Sequence, residues 1–178
     1  MSSYGLRIER SVAEATVNRI LEIKAPGGRL EAAGSLRRGR PTVGDVDLVL
    51  DGTDVFWVEK LLRGIAHLAG EANCHRTKKD GTLKRVTLDG VPVELYVARG
   101  GSWGAQMLFC TGSPNFNIQQ RAVATRKGLM LNQYGLYKEA VDQKGKKVPG
   151  ELIASATEEE IFAALAMPFL TPAERERG

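Results

Sequence analysis

A predicted β-hairpin around the Asp-Gly pair at positions 89–90 is the strongest constraint on the fold of this chain. Both residues of a two-residue hairpin turn need left-handed backbone conformations, and Asp-Gly between alternating apolar runs supplies them. The runs extend from Leu83 to Leu88 and from Val91 to Val97. Successive side chains of a strand point to opposite faces, so the second run buries its valines and leaves Glu94 and Tyr96 on the other face.

Further helices and strands are predicted on both sides of the hairpin. Before it, hydrophobic spacing predicts a helix from Ile8 to Ile23, strands over 30–33 and 46–50, and a helix to about Ala69 capped by Thr53 or Asp54. After it, we expect a helix from Pro114 to Lys127, short strands over 129–131 and 135–138, a polar turn over 142–147 and a last helix over 157–166.

These elements predict an α+β chain in two parts. Residues 1–109 would form a mixed sheet with helices, and residues 110–178 a smaller, more basic α+β subdomain. A hinge is expected near Phe109 to Ser113.

Composition excludes several classes of protein. No apolar run in the 178 residues approaches the roughly 20 that a membrane span needs, and the first residues lack a signal-peptide pattern. We therefore expect a cytoplasmic, nucleoid or viral protein that is not secreted. Cys74 and Cys110 lie far apart without a metal-ligand spacing, so neither a zinc site nor a disulfide framework is predicted.

Positive charge is concentrated in parts of the sequence although the net charge is only +4. Between Gln119 and Lys147 seven basic residues stand against two acidic ones. Local basic fields suit a polyanionic partner, because neutralised phosphates release counterions. Ordinary solvated surface is the alternative interpretation of the same pattern.

Two aspartates at the start of a predicted strand indicate a metal site. Asp45 and Asp47 are two residues apart, so their side chains project from one face. Such a pair repels itself unless a cation lies between the carboxylates, and Mg²⁺ prefers these oxygens. Gly44 keeps the approach open, and Glu94 is the candidate for a third acid. Taken alone, Asp-x-Asp in a surface turn and an exposed strand glutamate would need no function.

A glycine-rich run just before the aspartates adds a phosphate-binding pattern. Gly34 and Ser35 form a predicted turn that offers a closely approachable backbone and a hydroxyl. Arg37, Arg38 and Arg40 follow, and guanidinium groups match phosphate geometry. The pattern therefore predicts a site for a metal-bound phosphate.

The motifs resemble those of family X DNA polymerases, the group that includes DNA polymerase beta. The family pattern Gly-Ser-x-Arg-Arg-Gly, a short spacer and Gly-Asp-x-Asp matches residues 34–47 without a gap. Residues 109–113, Phe-Cys-Thr-Gly-Ser, resemble the family's hinge, and residues 131–136 resemble the segment that follows. Glu94 stands where the family usually has Asp, and Cys110 replaces an aromatic residue.

The resemblance implies a nucleotidyltransferase palm followed by a C-terminal nucleotide-binding subdomain. Asp45, Asp47 and Glu94 would be the catalytic residues and would hold two Mg²⁺ ions, for which Mn²⁺ could substitute. The residues implied to bind nucleotide are Gly34, Ser35, Arg38, Gly44, Gly112, Ser113 and Asn117. Those implied to contact DNA are Arg121, Lys127 and Tyr134.

The predicted function is DNA-directed DNA synthesis of the repair, gap-filling type. A primer 3′-hydroxyl would attack the α-phosphate of a nucleoside triphosphate, and the partners would be primer-template DNA and the triphosphate, with the chain acting as a monomer. Two alternatives stay open from sequence. The chain could transfer nucleotides to an RNA end, a small molecule or a protein, or it could be a DNA-binding module with a decayed site.

Overall fold

The structure is a computed structural model that describes residues 7–23, 25 and 27–177. It forms two compact units, one up to Val97 and one from Ala98 onward. This boundary lies earlier in the chain than the predicted division at Phe109, because residues 103–111 form a helix whose Ala105 and Leu108 belong to the core of the second unit. No helix within the described ranges has the length and apolar character needed to cross a membrane.

The first unit is built on a five-stranded sheet. In chain order its elements are β1 (Ile8–Glu9), α1 (Arg10–Leu21), β2 (Leu30–Ala32), α2 (Gly34–Arg37), β3 (Thr42–Val43), β4 (Val46–Asp51), α3 (Val55–Ala69), a 3-10 turn (Glu71–Asn73), β5 (Cys74–Arg76), β6 (Leu83–Leu88) and β7 (Val91–Ala98). The strand order is β2-β4-β7-β6-β5, and β1 and β3 form a separate antiparallel pair.

The predicted hairpin forms as β6 and β7 and supplies much of the core. Val86 lies opposite Val93, and both side chains are fully buried. Asp89 and Gly90 adopt φ angles of 51° and 80°, the left-handed values that the turn requires. Burying these valines in the sheet contributes about 1.5–3 kcal/mol for each side chain.

Helix α3 begins where the sequence predicts it. The Asp54 carboxylate accepts a hydrogen bond from the backbone N–H of Trp57 at 3.0 Å and so caps the helix. Trp57, Leu61 and Ile65 are buried at spacings of four residues, which puts them on one face of α3. Their packing within the main core covers the sheet that carries β4.

Two local predictions near the start of the chain were wrong in detail. Ile8 pairs with Val43 in β1 instead of beginning the helix, and the Arg10 backbone N–H donates to the Pro41 carbonyl at 3.0 Å. Val12, an apolar residue within the predicted helix, is 48% exposed and so does not lie on the buried face of α1. A turn was expected at Gly34, but this residue begins the short helix α2.

The second unit packs three helices with a three-stranded sheet. Its elements are α4 (Trp103–Thr111), α5 (Pro114–Arg126), β8 (Leu129–Asn132), β9 (Gly135–Val141), β10 (Lys147–Ala154), α6 (Glu158–Ala164) and a 3-10 segment (Pro172–Arg177). The antiparallel sheet has the order β10-β9-β8. Predicted α5 and α6 are confirmed, whereas α4 and β10 were not predicted.

Capping groups fix the ends of α5 and α6. Ser113 caps α5, and Pro114 occupies the first position of the helix, where proline is favoured. Gly128 follows the helix with a φ angle of 69°. The Thr157 hydroxyl accepts from the Glu160 backbone N–H at 3.1 Å at the start of α6. Both helices thereby present core residues, including Phe116 and Phe162, to the sheet.

Candidate active site

Asp45 and Asp47 lie at the start of β4, in the interior of the five-stranded sheet. Val46 and Leu48 alternate with them and are fully buried in the core. The two carboxylates therefore occupy the opposite face, where both residues are half-buried. Strand β4 lies between β2 and β7, so residues of these two strands flank the site.

The surroundings of Asp47 disfavour its ionised form. Burial, the nearby Asp45 carboxylate and the Glu94 carboxylate raise the pKa of Asp47 from 3.8 to about 7, in that order of size. The Arg38 guanidinium and a hydrogen bond from the Tyr96 side chain act in the opposite direction. A cation bound beside these carboxylates would reduce the repulsion between them.

Gly34 gives Asp47 the space it occupies. A Cβ atom at position 34 would lie 1.9 Å from Asp47 Oδ2, and the φ angle of Gly34 is +59°, a conformation that side chains disfavour. The Ala33 backbone N–H also donates to the Asp47 carbonyl at 2.8 Å. The start of α2 and the aspartate are thus packed against each other.

Backbone and side-chain hydrogen bonds hold the loop that contains Ser35 and Arg38. The Arg38 N–H donates to the Gly34 carbonyl at 3.2 Å, and the Arg40 N–H donates to the Ser35 carbonyl at 3.1 Å. Arg10 Nη1 donates to the Leu36 carbonyl at 3.2 Å from α1. The loop therefore presents half-buried Ser35 and Arg38 from a fixed backbone, and Gly44 lies exposed with open space around it.

Glu94 is close to the aspartates but has a competing partner. It lies on β7 directly opposite Arg85 on β6, and Arg85 Nη2 is 2.5 Å from Glu94 Oε1. The Glu94 side chain is 17% exposed, whereas the Arg85 side chain is 46% exposed, so only the carboxylate of this cross-strand pair is largely removed from solvent. Within the described part of the chain, no group of three or more His, Cys, Asp or Glu side chains has the arrangement of a metal site.

The donor chemistry therefore suits a metal in part. Asp45 and Asp47 offer the hard carboxylate oxygens that Mg²⁺ prefers, in a place where their mutual repulsion favours a cation. Glu94 could add a third carboxylate, for which Arg85 competes through its contact with Oε1.

Tyr96 is a site residue for which no role was predicted from the sequence. It follows Glu94 by two residues on β7 and therefore shares its face, and its side chain hydrogen-bonds to Asp47. The alternation of the hairpin already placed Tyr96 on the site face, but the pairing of β7 with β4 was needed to bring it to Asp47.

In the second unit, the residues predicted to bind nucleotide are held by contacts with neighbouring residues. Asn117 Nδ2 donates to the Phe109 carbonyl at 2.8 Å, and the Arg121 guanidinium lies 5.4 Å from the centre of the Phe109 ring. The Ser113 hydroxyl accepts from the Phe116 backbone N–H at 3.4 Å. Gly112 precedes it as the buried residue that ends α4.

The residues predicted to contact DNA are exposed on the second unit. Arg121 lies on α5 and Lys127 is the C-terminal cap of that helix. Tyr134 lies in the turn between β8 and β9 and is 54% exposed. A charged and aromatic surface is therefore accessible on this unit.

Comparison with known proteins relates both units to one group. The family model for the DNA polymerase beta thumb matches residues 106–176. DNA polymerase lambda of Rattus norvegicus is 30% identical over 172 residues, covering 85% of this chain and 29% of that protein. DNA polymerase/3'-5' exonuclease PolX of Bacillus subtilis is 27% identical over 175 residues, covering 98% of this chain and 28% of that protein. The chain thus spans less than a third of the length of these curated relatives.

Solved structures show the same fold. A ternary gap complex of Leishmania infantum polymerase beta has a TM-score of 0.72 at 24% identity and covers 96% of this chain and 71% of that one. The α+β architecture, with a mixed sheet that carries the carboxylates, is thus that of the polymerase beta class. By its sequence motifs and these matches, the chain belongs to DNA polymerase family X.

Proposed function

We propose that the chain catalyses template-directed addition of deoxynucleotides to a primer 3′-hydroxyl, in repair-type gap filling. The observation that carries the proposal is the Asp45–Asp47 pair, packed against Gly34 and facing Arg38 and Glu94. In the reaction the 3′-oxygen forms a bond to the α-phosphorus, the bond from that phosphorus to the bridging oxygen breaks, and pyrophosphate leaves.

Asp45 and Asp47 are the residues proposed to hold two Mg²⁺ ions, with Mn²⁺ as a substitute and Glu94 as the third ligand. When bound, such ions stabilise the charge on the attacking and leaving oxygens of an in-line displacement. Arg85 competes for Glu94 in this role, and the Glu94 carboxylate would also accept the proton of the 3′-hydroxyl.

The loop after β2 is proposed to bind the triphosphate. Ser35 supplies a hydroxyl donor and Arg38 a guanidinium, while exposed Gly44 leaves its backbone approachable and buried Gly34 makes room for Asp47 beside the loop. Arg38 already lies close enough to lower the pKa of Asp47, so it would neutralise phosphate charge beside the carboxylates.

The second unit is proposed to recognise the rest of the nucleotide and the DNA. Gly112, Ser113 and Asn117 would contact the nucleotide. Arg121, Lys127 and Tyr134 are exposed and would contact primer-template DNA. Arginine and lysine would supply the salt-dependent phosphate contacts. We further propose that the chain acts as a monomer, in the cytoplasm, the nucleoid or a virus.

Primer extension tests this proposal. The protein is incubated with a one-nucleotide-gapped duplex, deoxynucleotides and Mg²⁺, and we expect incorporation that EDTA abolishes. Asp45→Ala and Asp47→Ala should each lower the rate by at least about 10²-fold, because each removes charge stabilisation of the transition state. Asp51→Asn is the matched control, since Asp51 is the last residue of the same strand.

Two outcomes would redirect the assignment. Incorporation that needs no template, or that prefers ribonucleotides on an RNA end, would indicate another nucleotidyltransferase. Salt-sensitive DNA binding without any Mg²⁺-dependent product would indicate a DNA-binding module. The Arg85–Glu94 pair is the observation that favours this last alternative. Full activity of Asp47→Ala would refute the carboxylate site itself.

A further inference from the structure

Arg175 is a buried arginine held by contacts on every side. It lies in the 3-10 segment Pro172–Arg177 and has no solvent exposure. Its Nη1 donates to the buried carboxylate of Glu158 at 2.6 Å, and its Nε donates to the Leu170 carbonyl at 3.0 Å. The ion pair and the hydrogen bond to the backbone together fix the position of the Arg175 side chain.

Three aromatic rings surround the same guanidinium. Its central carbon lies 5.4 Å from the centres of the Phe116 and Phe162 rings and 5.7 Å from that of Phe169. Phe116 is in the first turn of α5, so the arginine side chain packs directly against the start of that helix.

The backbone of Arg175 contacts the start of α5 as well. The Ser113 hydroxyl donates to the Arg175 carbonyl at 3.0 Å and accepts from the Phe116 backbone N–H. Arg175 thus holds the residue before α5 through its carbonyl and the first turn of α5 through its guanidinium. Asn117, one residue further, is tied to Phe109.

We propose that Arg175 is a positioning residue for the nucleotide site, acting through Ser113 and Phe116. The inference rests on the proposed function, in which Gly112, Ser113 and Asn117 contact the nucleotide. Arg175 itself is fully buried and touches no substrate. Its effect is geometric, because holding the groups that contact the nucleotide in place lowers the cost of ordering them on binding.

Arg175→Lys is the test variant. Lysine keeps the charge opposite Glu158 but lacks the planar fork that reaches the Leu170 carbonyl and stacks on the rings. We expect the KM for the incoming deoxynucleotide to rise about tenfold, with kcat within about twofold and DNA affinity unchanged, since nucleotide binding alone is weakened. An unchanged KM would overturn the inference.

Glu174→Gln is the matched control in the same segment. Its carboxylate accepts from the backbone N–H and hydroxyl of Thr171, both at 2.7 Å. We expect a wild-type KM from this variant. A tenfold rise here as well would show that any change in the segment acts on the site, and would remove the specific role of Arg175.

A double-mutant cycle with Phe116→Leu separates positioning from general destabilisation, because Phe116 is the α5 residue that the Arg175 guanidinium contacts. If the Arg175 side chain acts through Phe116, adding Arg175→Lys to Phe116→Leu raises KM by less than about twofold further. Effects that multiply fully would contradict the inference. Arg175→Met with Glu158→Leu removes both buried charges together and provides a folded substitute should the lysine variant unfold. This pair should show the same rise in KM.

Hydrogen exchange at the Phe116 amide provides a readout that needs no activity. This amide donates to Ser113, so its exchange should accelerate at least about tenfold in Arg175→Lys relative to Glu174→Gln. A wild-type protein that incorporates no nucleotide refutes the proposed function, whatever the exchange shows. An active wild-type protein with unaltered KM and exchange in Arg175→Lys refutes only the positioning role.

Discussion

Replacing Asp47 by asparagine should stabilise the metal-free protein although it removes a carboxylate that the proposed reaction needs. Burial and the neighbouring Asp45 and Glu94 raise the pKa of Asp47 from 3.8 to about 7. Each tenfold change in proton affinity is worth about 1.4 kcal/mol, so the ionised carboxylate costs the folded state about 4 kcal/mol above pH 7. Asparagine keeps an oxygen that can accept from Tyr96 and carries no charge.

The sign of the pH dependence follows from the two pKa values. Between pH 3.8 and about 7 the folded protein holds a proton on Asp47 that the unfolded chain has lost. The free energy of unfolding of the wild type therefore falls as pH rises through this window and levels off above it. The Asp47→Asn variant lacks this loss, so its advantage should be about 4 kcal/mol at pH 8 and about 2 kcal/mol at pH 5.

Urea and thermal unfolding in EDTA measure the difference. For a chain of this size, about 4 kcal/mol corresponds to roughly 10 °C in Tm. The control is Asp89→Asn, which removes the exposed pair with Arg19 at a turn position and should change stability by less than about 1 kcal/mol at either pH. A variant no more stable than the wild type at pH 8, or an advantage independent of pH, would refute the reasoning.

Three further predictions concern the glycine loop, the third acid and the buried pair. Gly34→Ala places a methyl group against Asp47 and should lower incorporation by at least about 10²-fold, whereas Gly81→Ala, with the same left-handed strain but open space, should cost only about 1–2 kcal/mol of stability in urea unfolding and leave incorporation unchanged. Arg85→Gln frees Glu94 and should lower the Mg²⁺ concentration for half-maximal incorporation by about two- to fivefold; an unchanged or higher requirement would contradict the competition between Arg85 and the metal. Glu158→Ala leaves Arg175 buried without its carboxylate and should cost about 3–5 kcal/mol in urea unfolding, most of which the double replacement Arg175→Met with Glu158→Leu should recover.

Local chemistry made several elements predictable from sequence. The Asp-Gly pair at 89–90 specified the hairpin, Asp54 specified the start of α3, and Pro114 with Gly128 bounded α5. Each signal is a conformational or hydrogen-bonding requirement that acts within a few residues. These local requirements do not depend on the tertiary structure of the rest of the chain.

Elements that depend on tertiary burial were missed. Helix α4 buries most of its residues, so it lacks the polar face that makes a helix visible in a sequence. Strand β10 is largely exposed and contains Pro149 and Gly150, which argue against a strand except at the sheet edge where it lies. Its hydrogen bonds to β9 determine its conformation.

The same distinction applies to the candidate site. The spacing of Asp45 and Asp47 put them on one face before any fold was known. The bond between Arg85 and Glu94 required the register of β6 on β7, and the contact of Tyr96 with Asp47 required β7 to lie beside β4. Long-range pairing of this kind leaves no trace in the local sequence.

The hydrogen bond from Tyr96 to Asp47 places a tyrosine ring next to the candidate metal site, so ion binding there can be detected by luminescence. A trivalent lanthanide such as terbium emits brightly when an excited phenol ring lies within a few ångströms, and Tyr96 holds its ring beside the carboxylate. Excitation near the tyrosine band would then report occupancy directly in the unlabelled protein, and Tyr96→Phe would darken that signal while leaving both aspartates in place. Ion binding at these carboxylates can thereby be followed by light emission without DNA, nucleotide or turnover.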